Sequence, residues 1–243
     1  HPDLDELLPP AGAGPVLPEG WQAAELAARG LAVDEAALGR LQAERGRYDQ
    51  GVRHMDQELA ALMAGLEARG LLEDALVALV ADHGEGLWEH VTPLPEEELA
   101  LLPPEELFYQ KHGASQYQEV LRTPLVLWGR GVEAGARVEQ AVENVDLFPT
   151  LLELAGVPAP DDLHGRSLVA LMRGREASEP PFVHSYGVHG NSVRETATDL
   201  KLIIPRGNAL RAGQGPGLFD LRRDPDERVN LAAERPLDVQ RLT

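Results

Sequence analysis

The sequence predicts a layered α/β domain running into a small C-terminal α+β subdomain, and three features carry that prediction. A long segment with apolar residues every three or four positions precedes two short, fully apolar runs, Ala75–Ala81 and Pro124–Trp128. A second helical segment follows at Asp146–Ala155. Beyond about Pro180 the texture changes to short extended pieces between turns. Helices and strands in alternation, then strands alone, are the pattern of packed layers with an appendage. The chain divides accordingly into an irregular lead-in at 1–34, a domain at 35–180 and a subdomain at 181–243.

Each element has a local reason. The lead-in is rich in Pro, Gly and Ala, as in Leu8-Pro-Pro-Ala-Gly-Ala-Gly14, which suits an irregular surface run. From about Glu35 to Arg69, Tyr48, Val52, Met55, Leu59, Leu62 and Leu66 recur at helical spacing and form one apolar stripe, with Gly70 as the stop. Ala75–Ala81 is apolar throughout, which predicts a strand covered on both faces, as in a parallel sheet. The segment 87–109 contains prolines and clustered glutamates and is expected to be an excursion with one short helix. Asp146 is placed to cap the helix that follows it, Pro149 is tolerated in its first turn, and Gly156 closes it. The pieces Leu200–Ile204 and Gly217–Leu221 predict a small antiparallel unit.

Composition removes several function classes. The 243 residues carry a net charge of −18, which argues against nucleic acid, since phosphate attraction needs a basic face. An anionic substrate then requires a locally positive site such as a metal. No apolar run reaches the ~18 residues of a membrane span. Cysteine is absent, so disulfides and thiolate ligands are excluded, while the compartment stays open. The chain opens on His1, and an incomplete or processed chain is the simplest expectation.

The sharpest candidate is Asp82-His83-Gly84-Glu85, directly after the first apolar run. In open α/β sheets ligands collect at the carboxyl ends of strands. A carboxylate and a neutral imidazole both suit a divalent cation. A strand-to-loop turn with a solvent-facing polar pair uses the same residues. Lys111-His112-Gly113 is the second candidate: a lysine and histidine beside a metal would contact an anion or steady a leaving oxygen, and a solvated loop is the alternative. His90 and Glu85 are either further site residues or structural ones. His54 reads as structural, His164 as part of a turn, and His184 and His189 have no interpretable spacing.

The order of these motifs resembles the sulfatases. Tyr48-Asp49, Asp56 and the helix ending in Gly70-Leu71-Leu72-Glu73-Asp74 are similar to the helix before their metal strand. Leu76–Ala81 with Asp82-His83-Gly84-Glu85 and Glu89-His90 resembles the metal-binding strand end. His112-Gly113, Ser115, Tyr117, Glu119 and Arg122-Thr123-Pro124-Leu125 resemble the active-site loop and the strand it enters. Val145-Asp146, Pro149-Thr150 and Gly156 are similar to the next helix, and Gly165-Arg166-Ser167-Leu168 to the turn after it. Leu200-Lys201-Leu202-Ile203 with Leu218-Phe219-Asp220-Leu221, Asp224-Pro225, Glu227 and Asn230-Leu231 resembles the C-terminal signature.

The resemblance implies a partial alkaline-phosphatase-like layered sheet, with 35–180 as the C-terminal half of the α/β domain. It implies a metallohydrolase of sulfate esters. Asp82 and His83 would be ligands to a divalent metal, calcium first and magnesium, manganese or zinc as alternatives. His112 would contact the sulfate or its leaving oxygen, with Lys111 beside it. The family's Cys/Ser-x-Pro-x-Arg formylglycine motif and its N-terminal Asp pair do not occur in these residues, so the N-terminal half of the same protein is the expected partner. The Asp-His pair also fits phosphodiesterases, phosphonate monoester hydrolases and phosphoethanolamine transferases on the same scaffold. A non-catalytic binding protein descended from a sulfatase is the alternative from outside the enzymes.

Overall fold

A computed structural model of the chain describes residues 35–91, 101, 108–112, 115–175, 180–207 and 215–243, less the side chains at 35–42, 44, 88, 91 and 108–111. The lead-in at 1–34 and the short helix expected inside the Pro/Glu-rich excursion lie outside the described residues. The chain forms two compact units, His1–Gly65 with Glu85–Lys111, and Leu66–Gly84 with His112–Thr243.

The first unit holds most of α1 (Glu35–Glu67) and an antiparallel pair, β2 (Gly86–Val91) with β3 (Phe108–Lys111). The pair joins the two ends of the excursion, with Gly86 opposite Lys111 and an irregularity between Leu87 and Val91. Tyr48 is still 42% exposed; partial burial, then the carboxylates of Glu85, Asp49 and Glu89, push its phenol up. The helix ends as expected: the Gly70 amide bonds Glu67 O at 2.9 Å and the Leu71 amide bonds Leu66 O at 3.1 Å. Its predicted stripe is not covered by the described residues, since Val52, Met55 and Leu62 are 47%, 65% and 57% exposed.

In the second unit, β1 (Leu76–Val80) pairs with β4 (Leu125–Gly129), Leu76 opposite Gly129 and Val80 opposite Leu125. The pairing is antiparallel, which corrects the parallel expectation. A continuous apolar run reports two faces that need cover, and says nothing about the direction of the neighbouring strand. After β4, a 3₁₀ turn (Asn144–Asp146) leads into α3 (Leu147–Ala155), closed by Gly156. Asp146 does not cap α3 with its side chain. Its carboxylate instead accepts from the Glu143 amide at 3.1 Å and the Arg166 amide at 2.9 Å. Glu143 and Asp146 form a reciprocal capping box one turn earlier, so the helical segment starts before α3 itself.

The C-terminal part is a four-stranded antiparallel sheet of β5 (Phe182–Tyr186), β6 (Gly190–Glu195), β7 (Leu200–Pro205) and β8 (Gly217–Asp220), in that order. Strand alternation assigns its two faces. Leu200, Leu202 and Ile204 gather with Val193 and Leu218 against Val239 and Leu242 of α4 (Pro236–Leu242). The opposite face carries Lys201 and Phe219. It meets a short helix, α2 (Gln118–Leu121), and the residues before it: Tyr117 packs edge-on against Phe219 at 5.8 Å, and Gln118 bonds the partner of Lys201.

Candidate metal centre

Asp82 and His83 stand just beyond the end of β1. The Asp82 carboxylate accepts the His83 amide at 3.0 Å, which folds the side chain back over the turn. His83 Nδ1 lies 2.8 Å from the Gly84 carbonyl oxygen. A carbonyl only accepts, so in the neutral ring Nδ1 carries the proton and Nε2 keeps its lone pair. That nitrogen is 3.6 Å from Asp82 Oδ1. A hydrogen bond that fixes the tautomer from the far side of the ring is the usual support for a metal-binding histidine. The carboxylate is 88% exposed and the imidazole 40%, so both are accessible.

His112 completes the group. Its ring stacks on that of His83 with centroids 3.8 Å apart and planes 22° apart. Asp82, His83 and His112 are therefore brought together, although they lie at the ends of different segments. Lys111 closes β3 opposite Gly86, and its side chain is outside the described set. Of the further candidates, Glu85 and His90 belong to the other unit, where His90 is buried in β2. On β5 the His184 ring lies parallel to that of Tyr186 and tilted by 51° to that of Phe182, and His164 lies in an exposed turn.

The donors fit a divalent cation in kind and in spacing. An oxygen and a nitrogen that each bind at ~2.0–2.4 Å can share one ion when they stand 3.6 Å apart. The set is incomplete among the described residues, where no group of three or more His, Asp or Glu side chains could hold a metal.

Several supporting residues escape a reading of the sequence. The Asn144 side-chain amide donates to the Ala81 carbonyl at 3.1 Å and ties the end of β1 to the 3₁₀ turn. The Gly84 amide donates to the Val120 carbonyl at 2.7 Å, so the turn rests on α2. A buried pair lies behind α2: Lys201 Nζ is 2.7 Å from Glu227 Oε1, with side chains 1% and 0% exposed. Burial pushes the ammonium of Lys201 down and the carboxyl of Glu227 up, each opposed by the partner's charge. The one local signal is a lysine at an inward position of an apolar strand.

Solved structures resemble this fold. One, in complex with its substrate D-glucosamine-2-N,6-O-disulfate, matches 90% of this chain and 42% of its own, with a TM-score of 0.67 and 23% identity. The phosphonate monoester hydrolase of Agrobacterium radiobacter matches 84% of this chain and 40% of its own, with a TM-score of 0.62 and 21% identity. The fold is that of the alkaline-phosphatase-like hydrolases. Within that class the sulfatase family profile matches residues 15–157, and the profile of the C-terminal part of N-sulphoglucosamine sulphohydrolase matches 105–241. The chain belongs to the sulfatase family. Arylsulfatase K of Bos taurus and of Homo sapiens are each 32% identical over 190 residues, covering 74% of this chain. The chain spans about a third of the length of these relatives, 32% in both cases. No helix among the described residues is long and apolar enough to cross a membrane.

Proposed function

We propose that the intact protein hydrolyses sulfate esters, with Asp82 and His83 holding a divalent cation and His112 contacting the sulfate or its leaving oxygen. Family membership supports the reaction class. The observation that carries the site is the His83 ring, held from behind by Gly84 with Nε2 turned toward Asp82 and its face against His112. A bound cation would supply charge to polarise the anionic ester. The chain's own residues hold that cation and give His112 a fixed orientation, from which it donates a proton or hydrogen bond to the departing oxygen. Lys111 is assigned to neutralising charge on the sulfate oxygens. Calcium is the first choice by family resemblance, with magnesium, manganese and zinc as alternatives; a carboxylate suits the first three, and an imidazole beside it suits zinc. In this reading the nucleophile, a formylglycine, and the remaining ligands come from the N-terminal half of the same protein. The third of the relatives' length spanned here is consistent with that division.

The sulfated sugar bound by one structural relative supports an anionic ester as substrate. The phosphonate hydrolase relative supports one alternative, a phosphonate ester. Turnover of an aryl sulfate and an aryl phosphonate ester by the intact enzyme separates the two. Asp82→Ala and His112→Ala are each expected to lower kcat/KM at least ~10²-fold. Full activity in Asp82→Ala would rule out its role as a metal ligand.

A further inference from the structure

Four contacts in the second unit form a continuous chain from the C-terminal sheet to the candidate centre. Lys201, on β7, pairs with Glu227 in the loop after β8, and both side chains are buried. The other oxygen of Glu227 accepts the Gln118 amide at 2.5 Å, at the first residue of α2. No side chain of Tyr117 caps that helix, so Glu227 does the capping from 109 residues away. The carbonyl of Val120, inside α2, accepts the Gly84 amide at 2.7 Å. The fit at Gly84 leaves no slack, because a Cβ there would sit 2.0 Å from the Glu119 carbonyl oxygen. Gly84 in turn supplies the carbonyl that orients His83.

We propose that Lys201 and Glu227 are positioning residues for this centre: through the Gln118 amide they hold α2, and α2 holds the turn that sets Asp82 and His83 against His112. The proposal rests on the reading of those three residues as the site. A carboxylate buried without a cation would be costly, so Lys201 is what allows Glu227 to stay charged and cap α2 strongly. Both members are therefore needed, although neither touches the three site residues in the contacts described above.

Gln118→Pro removes only the donor. Gln118 is the first residue of α2, where proline is tolerated, and Tyr117 before it is extended at φ −78° and ψ 162°, as a residue preceding proline should be. In the full 243-residue chain, loss of this charge-assisted bond should lower hydrogen-exchange protection of the Gly84 amide about ten- to hundredfold. The nuclear Overhauser contact between the His83 and His112 rings should weaken with it. The Arg166 and Val157 amides, bonded elsewhere in the unit, should keep their protection. Gln118→Ala retains the amide and should match wild type throughout. If Gln118→Pro does not fold, the double variant Lys201→Met/Glu227→Met removes the acceptor without stranding a buried charge, and the same loss at Gly84 is expected. Unchanged Gly84 protection in a folded variant, or equal loss in Gln118→Ala, would overturn the proposal. Manganese added to the intact protein, which supplies the remaining ligands of this reading, tests the site separately: failure to broaden the His83 and His112 ring signals there sinks the metal centre and leaves the Gly84 result standing.

Discussion

Gly84 and Gly156 are both glycines at the end of an element, but for different physical reasons. Gly156 closes α3 at φ 71°, in open space, so a side chain there meets only the cost of the left-handed conformation. Gly84 is needed because α2 packs directly on its Cα. Gly156→Ala is expected to cost ~1 kcal/mol. Gly84→Ala should cost ~3 kcal/mol, as overpacking against backbone does, and should disturb α2 as well. Urea denaturation of both variants checks the ranking; equal costs would mean that α2 yields to the new methyl. At this scale Asp82, His83 and His112 stand out in the sequence as candidates, because strand ends and unusual residue types mark them. Glu227 and Asn144 could not, since their partners are distant in sequence and their own neighbourhoods are ordinary polar loop.

The turn between β6 and β7 shows how charge and backbone conformation combine in one element. Asp199 sits at φ 58°, where few side chains other than Asn and Asp are at ease. Burial raises its carboxyl, but hydrogen bonds from Arg194 and Arg222 outweigh this and hold it below the ordinary carboxylate range. A lowered carboxyl stabilises the fold above its unfolded pKa, ~3.9, and the contribution is lost as pH falls through the folded value. Asp199→Asn keeps the backbone preference and removes the charge. It should be less stable than wild type at pH 7 by roughly 1 kcal/mol, and the gap should close below about pH 4. Melting curves at the two pH values test this, and a pH-independent gap would assign the loss to packing. The elements themselves were unevenly legible. α1 and α3 announce themselves through apolar spacing and a terminal glycine. The β5–β6 hairpin does not, because its strands mix Ser, His, Asn and Arg with the apolar residues and show no clean alternation. The antiparallel direction of β1 and β4 was equally invisible.

At the scale of the whole molecule, apolar surface and net charge oppose each other. β1 and β4 pair only with each other among the described residues, and Leu79, Val80, Val126 and Trp128 on them are between 38% and 52% exposed. Together with the uncovered stripe of α1 this is more apolar strand and helix surface than a stable monomer usually shows. The net charge of −18 resists association, but only within a Debye length of ~8 Å at physiological salt and ~3 Å at 1 M. The 243-residue chain is expected to self-associate with concentration, and more strongly at 1 M than at 0.15 M salt. Sedimentation velocity across both conditions checks it. A monodisperse monomer with a sharp, high thermal transition in both would show that the chain covers these faces itself.

The reach of Glu227 back to Gln118 also bears on the order in which the molecule is made. Asp82, His83 and His112 leave the ribosome before Glu227, whose carboxylate caps α2 and follows Gln118 by 109 residues. Contacts this distant in sequence form late and slowly. A product truncated before Glu227 would therefore contain every candidate ligand found here, yet lack the brace that sets their geometry. Translation then delays the bracing of the candidate centre until Glu227 has emerged, so that a polypeptide ended before it is expected to present the candidate ligands without their brace.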